Sequence, residues 1–308
     1  METKLAQSYF RGVSEPPLID ETIGERLART IKLHPDREAL VSRHQDIRWT
    51  YREYGEQIER LAAGLLSLGI EPGDRVGIWA PNCYEWCLVQ FATARIGAIL
   101  VNVNPAYRVF ELEYALNKSG CKAIVTAERF KSSHYVQMLQ DLAPELAECQ
   151  PGELKAEKLP NLKIVIRMGE EQTPGMFAFA DVCAMGSRDD FRRLKSIGED
   201  LSPHDVINIQ FTSGTTGNPK GAALTHYNIL NNANQVSQGM RFSENDRLCI
   251  PVPMYHCFGM VLGKMACVVN GATAVFPSDS FEAGSVLETV EAERCTALHG
   301  VPTMFIAE

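Results

Sequence analysis

The sequence predicts an α/β fold in which two doubly wound, mainly parallel sheets have helices packed between and outside them. From Pro72 onward, short apolar runs alternate with longer amphipathic segments, a rhythm typical of strand–helix–strand units. The runs are rich in Val and Ile and lack strict alternation, as expected for strands buried on both faces of a parallel sheet. There are more such runs than one compact sheet usually holds, so we expect two sheets.

Three of the segments between the candidate strands begin like helices. A Ser, Thr or Asn followed three residues later by Glu forms the capping-box pattern that starts many helices. This pattern occurs at Thr50 with Glu53, at Asn82 with Glu85 and at Ser285 with Glu288. The candidate strands are residues 75–79, 99–103, 122–126, 162–167, 206–211, 247–250, 272–276 and 296–298.

Composition argues against several classes of protein. The formal net charge of the 308 residues is −8, whereas a nucleic-acid-binding surface is usually basic. The nine cysteines include no C-x-x-C pair, which favours free thiols in a reducing compartment over a zinc site. Residues 1–18 lack the apolar core of a secretory signal. We expect a cytoplasmic protein, with the mitochondrial matrix as the alternative, and the sequence does not indicate an oligomeric state.

The most apolar stretch, residues 254–276, is interrupted by Lys264 and Gly271. A membrane span needs about 20 consecutive, predominantly apolar residues. The stretch therefore predicts a buried helix followed by a buried strand, and no membrane span is expected.

The sharpest feature is a loop rich in Ser, Thr and Gly that directly follows the candidate strand 206–211. Its glycines let backbone N–H groups approach an anion closely, its hydroxyl groups add donors, and its lysine supplies a mobile positive charge. Together these residue types predict a polyphosphate site. The predicted phosphate ligands are Thr212, Ser213, Gly214, Thr215, Thr216, Gly217 and Lys220.

The spacing of this loop differs from that of a P-loop. In a Walker A motif the lysine follows the second glycine at once, whereas two residues stand between Gly217 and Lys220. Next we expect a strand over 221–224, and then a helix over 227–238 that Thr225 caps. A loop between two strands predicts a phosphate clamp on a β-hairpin and disfavours a P-loop nucleoside triphosphatase.

Residues 212–221 read TSGTTGNPKG and resemble the signature loop of the adenylate-forming superfamily, which includes acyl-CoA synthetases, luciferases and peptide-synthetase adenylation domains. The fatty-acyl-CoA synthetases are the most similar branch. The resemblance implies the large domain of the adenylate-forming fold and an ATP-dependent activation of a fatty acid to acyl-CoA, with Mg²⁺ and with CoA as a substrate. Other segments that resemble the family, in order, are 49–53, 97–105, 254–256 and 300–303.

The resemblance also implies roles for individual residues. Lys220 and its loop would stabilise the charge that grows on the pyrophosphate leaving group, and His256 would orient the substrate carboxylate. Thr215 is implied to lie nearest to Mg²⁺. The apolar neighbours of His256 are expected to bury it and to favour the neutral imidazole. The implied substrate-binding residues are Tyr255, His256, Phe258, Gly259, Val301, Pro302 and Thr303.

For the domain organisation, the resemblance implies that residues 1–308 form an incomplete N-terminal AMP-binding domain. One lobe is expected over about 72–230, and a second, incomplete lobe over about 18–71 and 235–308. The family's adenine-stacking segment, ribose-binding aspartate and small C-terminal domain have no counterpart in these residues. We therefore expect the isolated chain to be nearly inactive.

Two other functions stay open at this point. The acyl group could pass to the pantetheine of an acyl carrier protein instead of CoA, or the chain could be a non-catalytic module that binds a nucleotide or an acyl group. The preferred acyl length is not readable, because one methylene changes discrimination by only about 1–3 kcal/mol.

Overall fold

Two β-sheets organise the chain, and the loops at the carboxyl ends of their strands lie close together. The computed structural model describes residues 17–169, 171–212 and 219–308, and the structural statements below concern those residues. The strands are β1 (Glu38–Ser42), β2 (Ile47–Thr50), β3 (Arg75–Trp79), β4 (Ile99–Asn102), β5 (Ala123–Thr126), β6 (Arg129–Phe130), β7 (Ser133–His134), β8 (Ile164–Arg167), β9 (Phe177–Ala178), β10 (Val206–Thr212), β11 (Lys220–Thr225), β12 (Arg247–Cys249), β13 (Thr273–Phe276) and β14 (Ala297–Leu298).

Helices connect most of these strands. They are α1 (Ile23–Leu33), α2 (Tyr51–Ser67), α3 (Tyr84–Arg95), α4 (Val109–Ser119), α5 (Tyr135–Leu142), α6 (Phe179–Met185), α7 (Arg188–Asp200), α8 (His226–Gly239), α9 (Ala266–Asn270), α10 (Ala283–Ala292) and α11 (Pro302–Ala307). A π-helical segment, Phe258–Met265, runs directly into α9. Within the described ranges, no helix is long and apolar enough to cross a membrane.

The larger sheet has seven strands in the order β11-β10-β4-β3-β5-β8-β9. Neighbouring strands are parallel except for the antiparallel hairpin of β10 and β11. The predicted strands 75–79, 99–103, 122–126, 162–167 and 206–211 all lie here, with ends that differ by at most two residues from the observed bounds. Their continuous apolar character is explained by helices on both faces.

The smaller sheet has five strands in the order β14-β12-β13-β1-β2, and only the β1–β2 pair is antiparallel. Its last three strands in sequence confirm the predicted runs 247–250, 272–276 and 296–298. The prediction missed β1 and β2, which come from the amino-terminal part of the chain and pair with β13 through β1. The predicted architecture of two mainly parallel sheets is confirmed, while the lobe boundaries stay a prediction.

Helix α2 joins the two sheets through buried tyrosines. The hydroxyl of Tyr51 donates to the carbonyl of Ala272 at 2.7 Å, beside β13, and that of Tyr54 donates to the carbonyl of Cys87 in α3 at 2.9 Å. Both side chains are fully buried. Buried tyrosines usually find a hydrogen-bond partner because an unpaired hydroxyl is costly inside a protein. The large apolar core thus includes groups that fix how α2 lies against its neighbours.

Two of the three predicted helix starts differ in the structure. Thr50 caps α2 in a capping box with Glu53, as predicted. Asn82 does not cap α3, because its side chain bonds instead to the backbone of a distant turn. Helix α10 begins before Ser285, because the carboxylate of Glu282 accepts from the N–H groups of Gly284 and Ser285. In both cases a competing contact outside the local pattern decides the outcome.

His226, the first residue of α8, is buried and neutral in the fold. Its Nδ1 accepts from the N–H of Ile23 at 3.2 Å, and its Nε2 has no hydrogen-bond partner among the described residues. Burial lowers the pKa of His226 from the ordinary histidine value of 6.5 to about 4, although Asp205 and Glu25 act in the opposite direction. Because the folded pKa is below the unfolded one, this group contributes stability above pH 6.5 that is lost as the pH falls toward 4.

The His226→Asn variant tests this pH dependence. It removes the titrating ring, so the free energy of unfolding should change less between pH 6.5 and pH 4 than in the wild type, by about 1–3 kcal/mol over that range. Urea denaturation at several pH values measures the slope. The exposed His134→Asn serves as the control, and an unchanged slope in His226→Asn would contradict the assignment.

Candidate active site

The predicted phosphate loop connects β10 to β11 at the carboxyl end of the larger sheet. Thr212 and Lys220 are the register partners that flank the loop of this hairpin, and both are exposed. The predicted hairpin, the second strand and the Thr225 cap on α8 are confirmed. Ligands of open α/β sheets bind at this end of the strands. The predicted ligands Ser213, Gly214, Thr215, Thr216 and Gly217 lie outside the described residues, and their roles stay predictions.

Helix α4 holds the start of β11, the second strand of the hairpin. The hydroxyl of Tyr114 donates to the carbonyl of Pro219 at 3.1 Å, directly before Lys220. A backbone carbonyl held from the side restricts where the next residue can lie. The backbone of Lys220 is therefore held in place, although its side chain is exposed to solvent.

The predicted carboxylate-binding histidine lies on the turn that follows β12. His256 is exposed, so the expectation that its apolar neighbours bury it is wrong. The Nδ1 atom of His256 accepts from the N–H of Phe258 at 3.1 Å. In a neutral imidazole this bond leaves the proton on Nε2. The exposed edge of the ring can then donate one hydrogen bond to an oxygen of a carboxylate.

The residues that follow this turn pack tightly against it. A Cβ atom on Gly259 would lie 2.5 Å from the carbonyl oxygen of Pro253, so the close approach of the π-helical segment to the turn requires glycine there. Phe258 contacts His299, with ring centroids 5.0 Å apart. The predicted substrate residues Val301, Pro302 and Thr303 begin α11 and are exposed.

A narrow apolar cavity opens between the two sheets. Its volume is about 170 Å³, and it lies where the loops after β3, β4, β12 and β13 meet. Of the predicted substrate residues, only Tyr255 lines it; Phe258, Gly259, Val301, Pro302 and Thr303 do not. A cavity of this volume and with this mainly apolar lining can hold an apolar chain of a few carbon atoms. Its other lining residues include Pro81, Pro105, Phe130, Pro253, Phe281 and Met304.

The sequence analysis missed His299, which directly follows β14 and contacts Phe258. Its ring is buried, and burial lowers the pKa of His299 from 6.5 to about 4, so the ring is neutral at pH 7. Its Nδ1 has no hydrogen-bond partner among the described residues. The only available signal was its position directly after a candidate strand, at the end where sites form.

The sequence analysis also missed a row of buried amides. Asn102 on β4 and Asn208 and Gln210 on β10 lie side by side, since Gln210 is the register partner of Asn102 and Asn208 that of Leu100. The Nδ2 of Asn208 donates to Oδ1 of Asn102 at 2.8 Å, and the Nε2 of Gln210 donates to Oδ1 of Asn208 at 3.1 Å. Polar residues within predicted buried strands were the signal for them.

Comparison with protein families identifies the family of this chain. The family described as AMP-binding enzyme matches residues 27–308. The chain belongs to the AMP-binding enzyme family. The adenylate-forming resemblance of the loop is thereby confirmed.

Two similar proteins are both named medium-chain acyl-CoA ligase ACSF2, mitochondrial. The protein of Danio rerio is 46% identical over 304 residues, which cover 98% of this chain and 50% of the relative. The human protein is 45% identical over 304 residues, which cover 97% of this chain and 49% of the relative. The chain thus spans about half the length of the curated relatives it matches.

Solved structures show the same fold. A long-chain-fatty-acid-CoA ligase (FadD1) from Archaeoglobus fulgidus has a TM-score of 0.77 at 24% identity and covers 97% of this chain and 56% of its own. The anthranilate CoA ligase AuaEII, in complex with anthranoyl-AMP, has a TM-score of 0.79 at 22% identity, over 96% of this chain and 52% of its own. At these identities the likeness establishes the α/β fold of this AMP-binding family member.

The Tyr114→Phe variant tests how the hairpin arm is held. Loss of the hydroxyl removes the bond to Pro219, so the backbone amides of β11 near Lys220 should exchange with solvent about threefold to tenfold faster. Hydrogen–deuterium exchange with mass spectrometry measures this. Tyr107→Phe is the matched control, because the hydroxyl of Tyr107 has no hydrogen bond among the described residues. Equal exchange in the two variants would argue against an anchoring role for Tyr114.

Proposed function

We propose that this chain is the part of an AMP-forming fatty-acid–CoA ligase that binds the phosphates of ATP and the substrate carboxylate. One observation supports this most directly. Strand β4 pairs with β10, which leads into the phosphate hairpin, and Asn102 at its end donates to the carbonyl of Tyr255 beside His256. A cation suited to phosphates, on the strand that pairs with β10, and a hydrogen-bond donor suited to a carboxylate, beside Tyr255, are thus both connected to β4.

In the first step, a carboxylate oxygen of the fatty acid attacks the α-phosphorus of ATP and pyrophosphate leaves. Lys220 would stabilise the negative charge that grows on the leaving group. The Nε2–H of His256 would hold the non-attacking carboxylate oxygen, which orients the attacking one. In the second step, the thiol of CoA attacks the acyl carbon and AMP leaves. ATP is proposed to bind with Mg²⁺, and Thr215, the residue implied to lie nearest to it, falls outside the described residues.

The substrate class is proposed from the relatives and from the cavity. The relatives are named medium-chain acyl-CoA ligases, and the apolar cavity beside Tyr255 suits a slender chain. The proposed reaction contains two such chains, the acyl tail and the pantetheine arm of CoA. The relatives are also named mitochondrial, which supports the matrix as the location; the cytoplasm is the other proposed location.

The acceptor of the acyl group is tested separately from its activation. Octanoate, ATP and either CoA or holo acyl carrier protein are incubated with the product of the complete reading frame, and the thioester is identified by mass spectrometry. The proposal expects octanoyl-CoA. Transfer to the carrier protein alone would favour the carrier-loading function, and binding of ATP without any turnover by the product of the complete reading frame would favour a non-catalytic module.

The Lys220→Ala variant tests the role of the loop cation. In the product of the complete reading frame, removing the charge should slow octanoate-dependent exchange between ATP and pyrophosphate by about 10²-fold, as the loss of one transition-state donor typically does. The dissociation constant of octanoate should change much less, because Lys220 is proposed to bind the phosphates of ATP and not the acyl group. Lys220→Arg, which keeps the charge, should retain more activity. Equal losses in exchange and in octanoate binding would count against the assignment.

A further inference from the structure

Two asparagines of the larger sheet hold the backbone of the turn that carries His256. Asn82, after β3, donates from Nδ2 to the carbonyl of Val252 at 3.0 Å and accepts at Oδ1 from the N–H of Met254 at 2.8 Å. Asn102, at the end of β4, donates from Nδ2 to the carbonyl of Tyr255 at 3.0 Å. Both side chains are only 2% exposed. The turn belongs to the smaller sheet by connection, yet the larger sheet fixes its position.

Asn102 is also one end of the amide row that reaches the phosphate hairpin. Its Oδ1 accepts from Asn208, whose own Oδ1 accepts from Gln210, two residues before Thr212. Asn208 additionally donates to the carbonyl of Leu100 at 2.9 Å. The orientation of each amide is therefore set by its neighbour, since reversing one would bring like groups together. Through these hydrogen-bonded side chains the row connects β10 to the carbonyl of Tyr255, next to His256.

Burying a row of amide side chains within a sheet costs free energy. Burying amides is unfavourable unless every group is paired, and an apolar side chain of similar volume would pack as well. Satisfied polar networks instead specify one arrangement of the groups they join. Here the groups joined are the strand that leads into the phosphate loop and the turn that bears the proposed carboxylate donor.

We propose that Asn102 is a positioning residue, which sets the distance between the carboxylate held by His256 and the phosphates held by the loop; this inference rests on the proposed function. Asn82 is the second anchor of the same turn. In-line attack requires the reacting atoms to lie about 3–3.5 Å apart, and a displacement of about 1 Å costs on the order of 10²-fold in rate. Asn102 acts through the backbone of Tyr255 and touches no reacting atom.

The test compares Asn102→Leu with a matched control. Leucine has the same branched shape and the same number of side-chain heavy atoms as asparagine but cannot donate to Tyr255. Asn231→Leu is the control, because Asn231 of α8 is also buried and its Nδ2 donates to the carbonyls of Ile19 and Tyr227, neither of which belongs to the turn. Far-UV circular dichroism checks folding, and Asn102→Ala replaces the leucine variant if that variant does not fold.

The first readout reports on the turn itself and needs no activity. Cys257, next to His256, is partly buried, so its alkylation by iodoacetamide in the native state reports how often the turn opens. Relative to Cys149 in the same sample, the rate should rise about fivefold in Asn102→Leu and stay unchanged in Asn231→Leu. Equal rates in the two variants would overturn the proposal.

The second readout is octanoate-dependent exchange between ATP and pyrophosphate by the product of the complete reading frame. In Asn102→Leu, kcat should fall at least tenfold while KM for ATP changes less than threefold, because binding groups remain and only their separation is altered. Faster alkylation of Cys257 with unchanged kcat would show that Asn102 holds the turn without serving the reaction, which also overturns the proposal. A wild-type protein without any exchange would instead refute the proposed function, and the alkylation result would then still decide whether Asn102 holds the turn.

Discussion

The parallel pairing of β10 with β4 is the constraint on which the site depends. Parallel neighbours bring their carboxyl ends to the same edge, so the phosphate hairpin leaves the sheet next to the end of β4. The pairing also has one register, in which Gln210 lies opposite Asn102. A slip of one residue would turn these amides to the other face of the sheet and leave them unpaired in the core. The register of these two strands therefore determines both where the loop begins and which polar groups of β4 and β10 meet.

The second sheet matters because it supplies the other half of the site. His256 follows β12, whereas Lys220 belongs to the hairpin of the larger sheet, so their separation depends on how the two sheets pack. Several polar groups fix that packing from inside the core. Tyr51 bonds to the carbonyl of Ala272, and the fully buried amino group of Lys264 donates to the carbonyl of Ala39 at 3.0 Å and lies 4.2 Å from the ring of Tyr54. Such bonds favour one arrangement of α2 and the smaller sheet over others that would bury the same apolar area.

Much of the fold follows from local patterns in the sequence. Eight strands, the Thr50 cap and the β10–β11 hairpin could be predicted because their signals lie within a few residues of the elements they define. The failures share a different cause. Asn82 matches a helix cap in sequence, but its side chain bonds to Val252 and Met254, some 170 residues away. Strand β1 acquires its place through pairing with β13, and β2 through pairing with β1.

In the candidate site, too, local patterns predicted some features, whereas contacts between distant residues decided the others. The residue types of the loop predicted a phosphate site from its chemistry alone. The exposure of His256, the buried ring of His299 and the amide row depend on which elements meet, and no short pattern carries that information. Two of these features involve polar residues in apolar runs, where periodicity predicts burial but does not indicate a partner.

The proposed function of the complete protein is activation of a carboxylate as an acyl-adenylate, and the most direct measurement follows the carboxylate oxygen. Octanoate labelled with ¹⁸O in both carboxylate positions is converted with ATP and CoA by the product of the complete reading frame, and the nucleotide is analysed by mass spectrometry. The account predicts AMP that carries one ¹⁸O atom, since the attacking oxygen stays on phosphorus when the thiol displaces AMP. Unlabelled AMP, or ADP and labelled phosphate in place of AMP and pyrophosphate, would contradict it.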